Sequence, residues 1–200
     1  MIATPILDAR ADAYALLQRL GATPHLLLHL QLVGEAADEL IALFGTIGVT
    51  YDAKAIELGA ALHDAGKIVH PNELSGPGDQ HEQAGEHLLL AHGVPARLAH
   101  FCVSHAAWDA PGVSFEELTV ALADALWKGV RIVQLELRVI DGAVAQLGLD
   151  RWTLFTPMDD GFERIASRGS ERLARSHGLK PNCQGQSDQP IDHTAKPEFH

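Results

Sequence analysis

The chain has 200 residues, of which 46% are hydrophobic and 20% charged, and its formal net charge is −11. This composition is typical of one globular domain with a single core and excludes a disordered chain. Because no block of basic residues is present, we expect neither a nucleic-acid polymer nor an anionic membrane as partner.

Apolar residues recur at intervals of three and four along most of the chain, which predicts an all-α bundle of about six or seven helices. In chain order, the predicted helices cover residues 6–20, 24–44, 52–66, 80–92, 95–106, 115–147 and 157–177. Helix starts are indicated by Thr23 before Pro24, by Asp52, and by Ser114 with Glu117 three residues later. Residues 70–80 contain Pro, Gly and Asn and are predicted to form a loop.

The domain organisation and the compartment follow from composition. Residues 1–178 are predicted to form the helical domain, whereas residues 179–200 are polar and aperiodic and predict a flexible C-terminal tail. The N-terminal residues lack the pattern of a signal peptide, and no apolar run approaches the roughly 20 residues that cross a bilayer. The two cysteines, Cys102 and Cys183, are too few for a disulfide framework, so we expect a cytoplasmic protein.

Four of the twelve histidines lie within apolar helical patterns: His29, His63, His81 and His105. Asp64 follows His63 directly, and Asp124 interrupts an apolar stripe. Such groups are costly to bury unless a partner compensates for the lost hydration. Imidazole and carboxylate ligands together suit Mn, Fe, Co, Ni or Zn better than Mg or Ca, so the set predicts a transition-metal site.

The order H…HD…H…H…D resembles that of the HD-domain superfamily of metal-dependent phosphohydrolases, over roughly residues 20–135. HDAGKI (63–68) resembles the HD-x-G-K signature, and the segments 81–95, 104–108 and 121–131 are similar to those that carry the remaining ligands. The resemblance implies an HD-domain helical bundle with two divalent ions. One ion would be bound by His29, His63, Asp64 and Asp124, and the other by Asp64, His81 and His105.

Two features depart from the cyclic-dinucleotide branch of that superfamily or add to its pattern. Ala106 follows His105 where that branch has a second histidine, and the loop WDAPGV lacks its GYP signature, so a cyclic dinucleotide is not expected. His25 lies one turn before His29 on the same helical face. It would reach either the metals or their surroundings, or simply water.

A hydrolytic mechanism follows from the charges of such a centre. Two divalent ions and two aspartates leave a net charge of about +2, and a water between the ions ionises near neutral pH and can attack phosphorus. The resemblance makes Asp64 the shared catalytic ligand, and Lys67, Lys128 and Arg131 are expected to bind phosphate oxygens. The alternative is that these three side chains bind no phosphate and are simply solvated at the surface. The expected substrate is a phosphomonoester or phosphoanhydride of a nucleotide or another small phosphorylated metabolite.

Two other functions remain open. A minority of proteins with this type of ligand set are di-iron oxygenases that cleave C–C or C–P bonds, and a non-catalytic nucleotide sensor could retain the fold. Asp124 follows His105 by only 19 residues, which looks more like the hydrolases. The complete ligand set argues against a sensor.

Overall fold

The fold was analysed in a computed structural model, which describes residues 5–178, and every regular element in that range is helical. The predicted all-α class is therefore confirmed, while the predicted tail, residues 179–200, lies outside the described residues. The helices are α1 Arg10–Arg19, α2 Pro24–Ile47, α3 Ala53–Leu62, α4 Gln80–Ala91, α5 Ala96–Ala99, α6 Phe101–Ser104, α7 Phe115–Leu126, α8 Val133–Leu147, α9 Arg151–Ser167 and α10 Gly169–Ser176. Two short 3₁₀ helices, Ala65–Ile68 and Pro71–Leu74, connect α3 to α4.

The centre of the bundle is formed by α2, α3 and α7, which pack against one another. On α2 the side chains of Leu30, Val33, Ala37 and Leu40 repeat at helical spacing and are fully buried. An apolar stripe of this kind holds a helix in place mainly by removing its surface from water. The same three helices also carry His29, His63 and Asp124, so these polar groups enter the centre of the core.

The predicted start signals form as hydrogen bonds. Thr23 Oγ1 accepts from Leu26 N at 3.2 Å, and Asp52 Oδ1 accepts from Ala55 N at 3.0 Å. Ser114 and Glu117 make the reciprocal capping box at the start of α7. Each cap satisfies a backbone N–H that has no partner within its helix, and so fixes where the helix begins.

The predicted helix over residues 115–147 is wrong, because the chain turns between α7 and α8. Gly129 has φ +79°, a left-handed conformation that interrupts the helix. This turn packs against the junction of α9 and α10, where a Cβ on Gly169 would lie 2.3 Å from Gly129 N. Close backbone approach therefore fixes glycine at both positions.

Other helix boundaries differ as well. The final predicted helix, 157–177, begins earlier, at Arg151, after the capping residue Asp150, and it divides at Arg168 into α9 and α10. Pro157 lies inside α9 rather than at its start. The first helix begins at Arg10, and the predicted helix over 95–106 is two four-residue helices. The described range thus holds eight helices of eight or more residues, instead of six or seven in all.

The last helix, α10, is attached to α2 by ion pairs. Arg172 is only 1% exposed, donates to Ile165 O at 2.9 Å and contacts the carboxylate of Glu39. Arg175 donates to both oxygens of Glu35, at 2.8 and 2.5 Å. These contacts are partly shielded from water, which makes them stronger than exposed pairs.

Within residues 5–178, no helix has both the length and the apolar character that a membrane crossing requires.

We expect Glu39→Gln to lower the free energy of unfolding by about 2 kcal/mol, because it removes the negative charge nearest to the buried guanidinium of Arg172 and leaves it with Glu35, 3.9 Å away. The matched control is Asp8→Asn, which removes the exposed Asp8–Lys54 pair and is expected to cost less than about 0.5 kcal/mol. Urea denaturation of both variants measures the difference. Equal losses would show that the α2–α10 ion pairs contribute no more than a surface pair.

Candidate metal centre

Four imidazoles and one carboxylate meet where several helices end or begin. His29 lies in α2, His63 is the C-cap of α3 and is followed by Asp64, His81 lies in the first turn of α4, and His105 is the C-cap of α6. His63 and Asp64 are at most 1% exposed. The group is thus held inside the bundle by five elements of the fold.

Two glycines allow α4 to approach the end of α3. A Cβ on Gly66 would lie 1.8 Å from His81 O, and a Cβ on Gly85 would lie 2.7 Å from Gly66 N. Any side chain at either position would push α4 away from the first 3₁₀ helix. The contact between the two backbones therefore places His81 beside Asp64, and it explains why the HDAGK segment has glycine at its fourth position.

The two oxygens of Asp64 face different pairs of imidazoles. Oδ2 lies 2.8 Å from His29 Nε2 and 3.5 Å from His63 Nε2. Oδ1 lies 3.1 Å from His81 Nε2 and 3.7 Å from His105 Nε2. One carboxylate is thereby shared by two groups of ligand atoms, and within each group the atoms lie within 4.8 Å of one another.

In three of the imidazoles, the ring nitrogen Nδ1, which does not face Asp64, makes a hydrogen bond outside the centre. His63 Nδ1 lies 3.0 Å from Ala60 O, and His105 Nδ1 lies 3.0 Å from Phe101 O. His81 Nδ1 lies 2.6 Å from Glu73 Oε2. A carbonyl or carboxylate can only accept, so each Nδ1 carries a proton, and in the neutral ring Nε2 presents its lone pair to the centre, as in metal-binding histidines.

Asp124 borders the first of these groups. Its Oδ1 lies 3.7 Å from His63 Nε2 and 3.9 Å from His29 Nε2, and its side chain is 23% exposed. Trp127 Nε1 donates to Oδ1 at 3.2 Å, and Lys128 Nζ donates to Oδ2 at 3.3 Å. The indole thus orients the carboxylate toward the imidazoles, while the ammonium group lies on its solvent side.

Lys67 reaches the centre at Asp64. Its Nζ lies 2.6 Å from Asp64 Oδ2, and its side chain is only 14% exposed. The residue arrives there through the first 3₁₀ helix, since α3 has already ended at Leu62. Two lysines, Lys67 and Lys128, therefore face the two aspartates.

Three buried atoms of this group have no hydrogen-bond partner: His63 Nε2, Asp64 Oδ1 and His81 Nε2. His81 Nε2 and Asp64 Oδ1 are close, but their geometry makes no hydrogen bond. Unpaired buried acceptors are costly, and a cation in each of the two groups of ligand atoms would satisfy them. The donor set also fits a first-row transition ion, so the buried His and Asp groups could hold a metal ion.

The electrostatics keep the carboxylates ionised. Burial raises the pKa of Asp64, but the surrounding imidazoles, His63 foremost, bring it well below its usual value. The pKa of Asp124 is also lowered, because its contact with His63 and the charge of Lys128 outweigh the effect of burial. Burial together with the neighbouring His63 lowers the pKa of His105 to about 4. At pH 7 that imidazole is neutral and its lone pair is available.

The structure does not bring Arg131 to this group. Its guanidinium binds three carboxylates between α8 and α9: Glu136, Asp159 and Glu163. Arg131 follows Asp124 by seven residues, a helical spacing, but α7 ends at Leu126, so the two residues do not share a helical face. A guanidinium already paired in this way is not free to bind a phosphate, and Arg131 is removed from the candidate site.

Two residues of the site were missed by sequence reasoning. Glu73 lies in the segment predicted as a loop, and its only signal was an acid eight residues before His81. Its side chain packs where a Cβ on Gly78 would lie, 2.4 Å from the Glu73 carboxyl carbon. Trp127 contacts His29 edge-on, with ring centroids 5.0 Å apart, and its signal was its spacing of three from Asp124.

A cavity of about 340 Å³ opens beside the centre, next to His29, Asp124, Trp127 and both lysines. A larger cavity, about 430 Å³, lies between the first turns of α3 and α7 and contains none of the predicted ligands. The smaller cavity therefore reaches the side of the candidate metal centre that carries His29 and Asp124.

Comparisons of the chain with protein-family models, with curated proteins and with solved structures gave no match.

We expect Glu73→Gln to weaken metal binding about 10- to 100-fold, because the amide no longer holds the Nδ1 proton of His81 with a charged acceptor. Titration of the metal-free protein with Mn²⁺ or Co²⁺ measures the affinity. The matched control is Glu86→Gln, which alters a similar contact with the exposed His100 and is expected to bind metal normally. Equal affinities for the two variants would contradict a supporting role of Glu73.

Proposed function

We propose that this chain is a metal-dependent phosphohydrolase of the HD-domain superfamily. The proposal rests on one observation: each of the two oxygens of Asp64 faces a different pair of imidazoles. This arrangement agrees with the ligand order that the sequence shares with that superfamily. A bridging carboxylate between two histidine pairs is an economical way of holding two cations close together in a bundle.

In this proposal, the residues around Asp64 would hold two divalent transition-metal ions. His29 and His63, with Asp124, would hold one ion, and His81 and His105 would hold the other, with Asp64 shared. The unpaired atoms His63 Nε2, Asp64 Oδ1 and His81 Nε2 support both sites, because at least one of them belongs to each group. The metal is one of Fe, Mn, Co, Ni or Zn.

The ions would supply a water that ionises near neutral pH and a positive field for the phosphate. The chain itself supplies orientation and further charge. Lys67 and Lys128 donate to the phosphate oxygens and stabilise the charge that develops on them. Trp127 holds Asp124 in position, and Glu73 fixes the tautomer of His81. The new bond joins the water oxygen to phosphorus, and the leaving oxygen departs with a proton.

The substrate in this proposal is a phosphomonoester or phosphoanhydride of a nucleotide or another small phosphorylated metabolite. Support comes from the cavity, where two lysines and three histidines lie within reach of a ligand beside Asp124. An oxygenase would need the same ligands with a di-iron pair, so its reaction would depend on oxygen.

We expect protein purified without added metal and reconstituted with Mn²⁺ to contain about two ions per chain by elemental analysis. His105→Ala should lose one ion, because only one histidine pair is broken, and Asp64→Asn should lose both. The matched control is His100→Ala, which removes an exposed histidine five residues before His105 that contacts Glu86 and not the centre. Two ions retained in Asp64→Asn would contradict the shared ligand.

We expect phosphate release to proceed without oxygen in the presence of Mn²⁺, Co²⁺ or Ni²⁺. Lys128→Ala should retain the metal and lose about 100-fold in kcat, because a donor to the transition state is removed. Lys54→Ala, a change at an exposed surface lysine, is the matched control and should keep full activity. Product formation that requires iron and oxygen, with no phosphate release, would replace the hydrolase by an oxygenase.

A further inference from the structure

The cavity beside the metal centre is closed on its outer side by residues that no metal site requires. These residues come from the start of α2, the second 3₁₀ helix and the end of α10: His25, Leu74, Ser75, Leu173, Ser176 and His177. Together with Lys67 and Lys128 they define a space of about 340 Å³. Ligand pockets commonly measure about 300–1,000 Å³, so this one is at the small end.

The charge on the described lining suits a single phosphate. Lys67 and Lys128 are its only lysine or arginine residues, and each already contacts an aspartate, at 2.6 and 3.3 Å. A triphosphate would carry about twice the charge of a monophosphate ester, and its outer phosphates would face no further lysine or arginine in the described lining. The phosphate itself also occupies part of the small volume, which leaves a limited space for the rest of the substrate.

The described lining offers a nucleobase no open indole or phenyl ring, only the smaller imidazoles of His25 and His177. Trp127 is its only Phe, Tyr or Trp residue, but it is 7% exposed and its Nε1 is already bonded to Asp124. A base that stacks needs an open aromatic face. The indole therefore serves the ligand aspartate and leaves little surface for stacking.

The outer wall offers hydrogen-bonding groups that suit hydroxyls. Ser75, His25 and His177 are exposed side chains that can donate or accept. Ser176 donates its proton to Leu173 O at 2.8 Å, so its oxygen remains an acceptor toward the cavity. A hydroxyl-bearing ligand can use both kinds of group, whereas an apolar ligand would leave them without partners.

The position of this wall is fixed by the ion pairs of α10. Arg175 binds Glu35 through two hydrogen bonds, and the buried Arg172 contacts Glu39. Leu173 lies between these two arginines in sequence and faces the cavity. The size of the cavity is therefore set by a helix that is attached to α2 at two points.

Given the hydrolytic function proposed above, we propose that the substrate is the monophosphate ester of a compact, hydroxyl-bearing alcohol no larger than a single sugar, and that Leu173 sets this size limit. Nucleoside triphosphates fit this lining less well because of their charge, and a nucleoside fits it less well because the cavity is small and has no open indole or phenyl ring. Lys67 and Lys128 bind the phosphate, while the serines and histidines of the outer wall bind the hydroxyls.

The test compares four probes with the full chain loaded with Mn²⁺: glycerol 3-phosphate, glucose 6-phosphate, AMP and ATP. We expect kcat/KM for the first two to exceed that for the nucleotides at least about tenfold. Leu173→Ala should improve AMP relative to glucose 6-phosphate by about tenfold, because it enlarges the cavity toward the wall. Leu137→Ala, at a partly buried leucine of α8 away from the cavity, is the matched control and should leave the ratio unchanged.

Calorimetric binding of the same probes separates this proposal from the hydrolase itself. Preferential binding of the sugar and glycerol phosphates without any turnover would support the ligand class and overturn the hydrolase. Turnover of AMP or ATP as efficient as that of glucose 6-phosphate would keep the hydrolase and overturn the ligand class. If Leu173→Ala leaves the ratio of kcat/KM for AMP to that for glucose 6-phosphate unchanged, the role of Leu173 is overturned. Equal binding of all four probes would overturn the ligand class.

Discussion

The fold is organised around one buried carboxylate. Asp64 is 1% exposed, and its oxygens lie within 3.7 Å of four imidazoles and one ammonium group. An isolated carboxylate at this depth would be neutralised or expelled, so its neighbours are a condition for the folded state. The imidazoles hold its pKa well below the usual value, which keeps the charge in place.

This constraint fixes the backbone around the site. The end of α3 and the start of α4 must meet closely enough for Asp64 and His81 to face each other, and only glycine at positions 66 and 85 allows that approach. Apolar residues on α2 and α7 then surround the group and keep water out, which strengthens every electrostatic interaction inside. The same contacts that bury Asp64 therefore also bring two pairs of imidazole Nε2 atoms to face it.

The helical class and the caps at Thr23, Asp52 and Ser114 could be predicted from the sequence, because spacing and capping are local signals. The residues that surround Asp64 were indicated by polar groups within apolar patterns, and their grouping by the resemblance in ligand order. The break between α7 and α8 could not, since it depends on Gly129 packing against Gly169, forty residues later. That break also removed Arg131 from the site. Glu73 was equally hidden, because its contact with His81 depends on the three-dimensional path of a segment without periodicity.

The central claim is that Asp64 lies between two metal ions. Anomalous X-ray diffraction from crystals grown with Mn²⁺, measured above and below the metal absorption edge, tests it most directly. The account predicts two peaks, one beside Asp64 Oδ2 next to His29 and His63, and one beside Oδ1 next to His81 and His105. A map with no peak at Asp64, or with metal only at surface carboxylates, would contradict it.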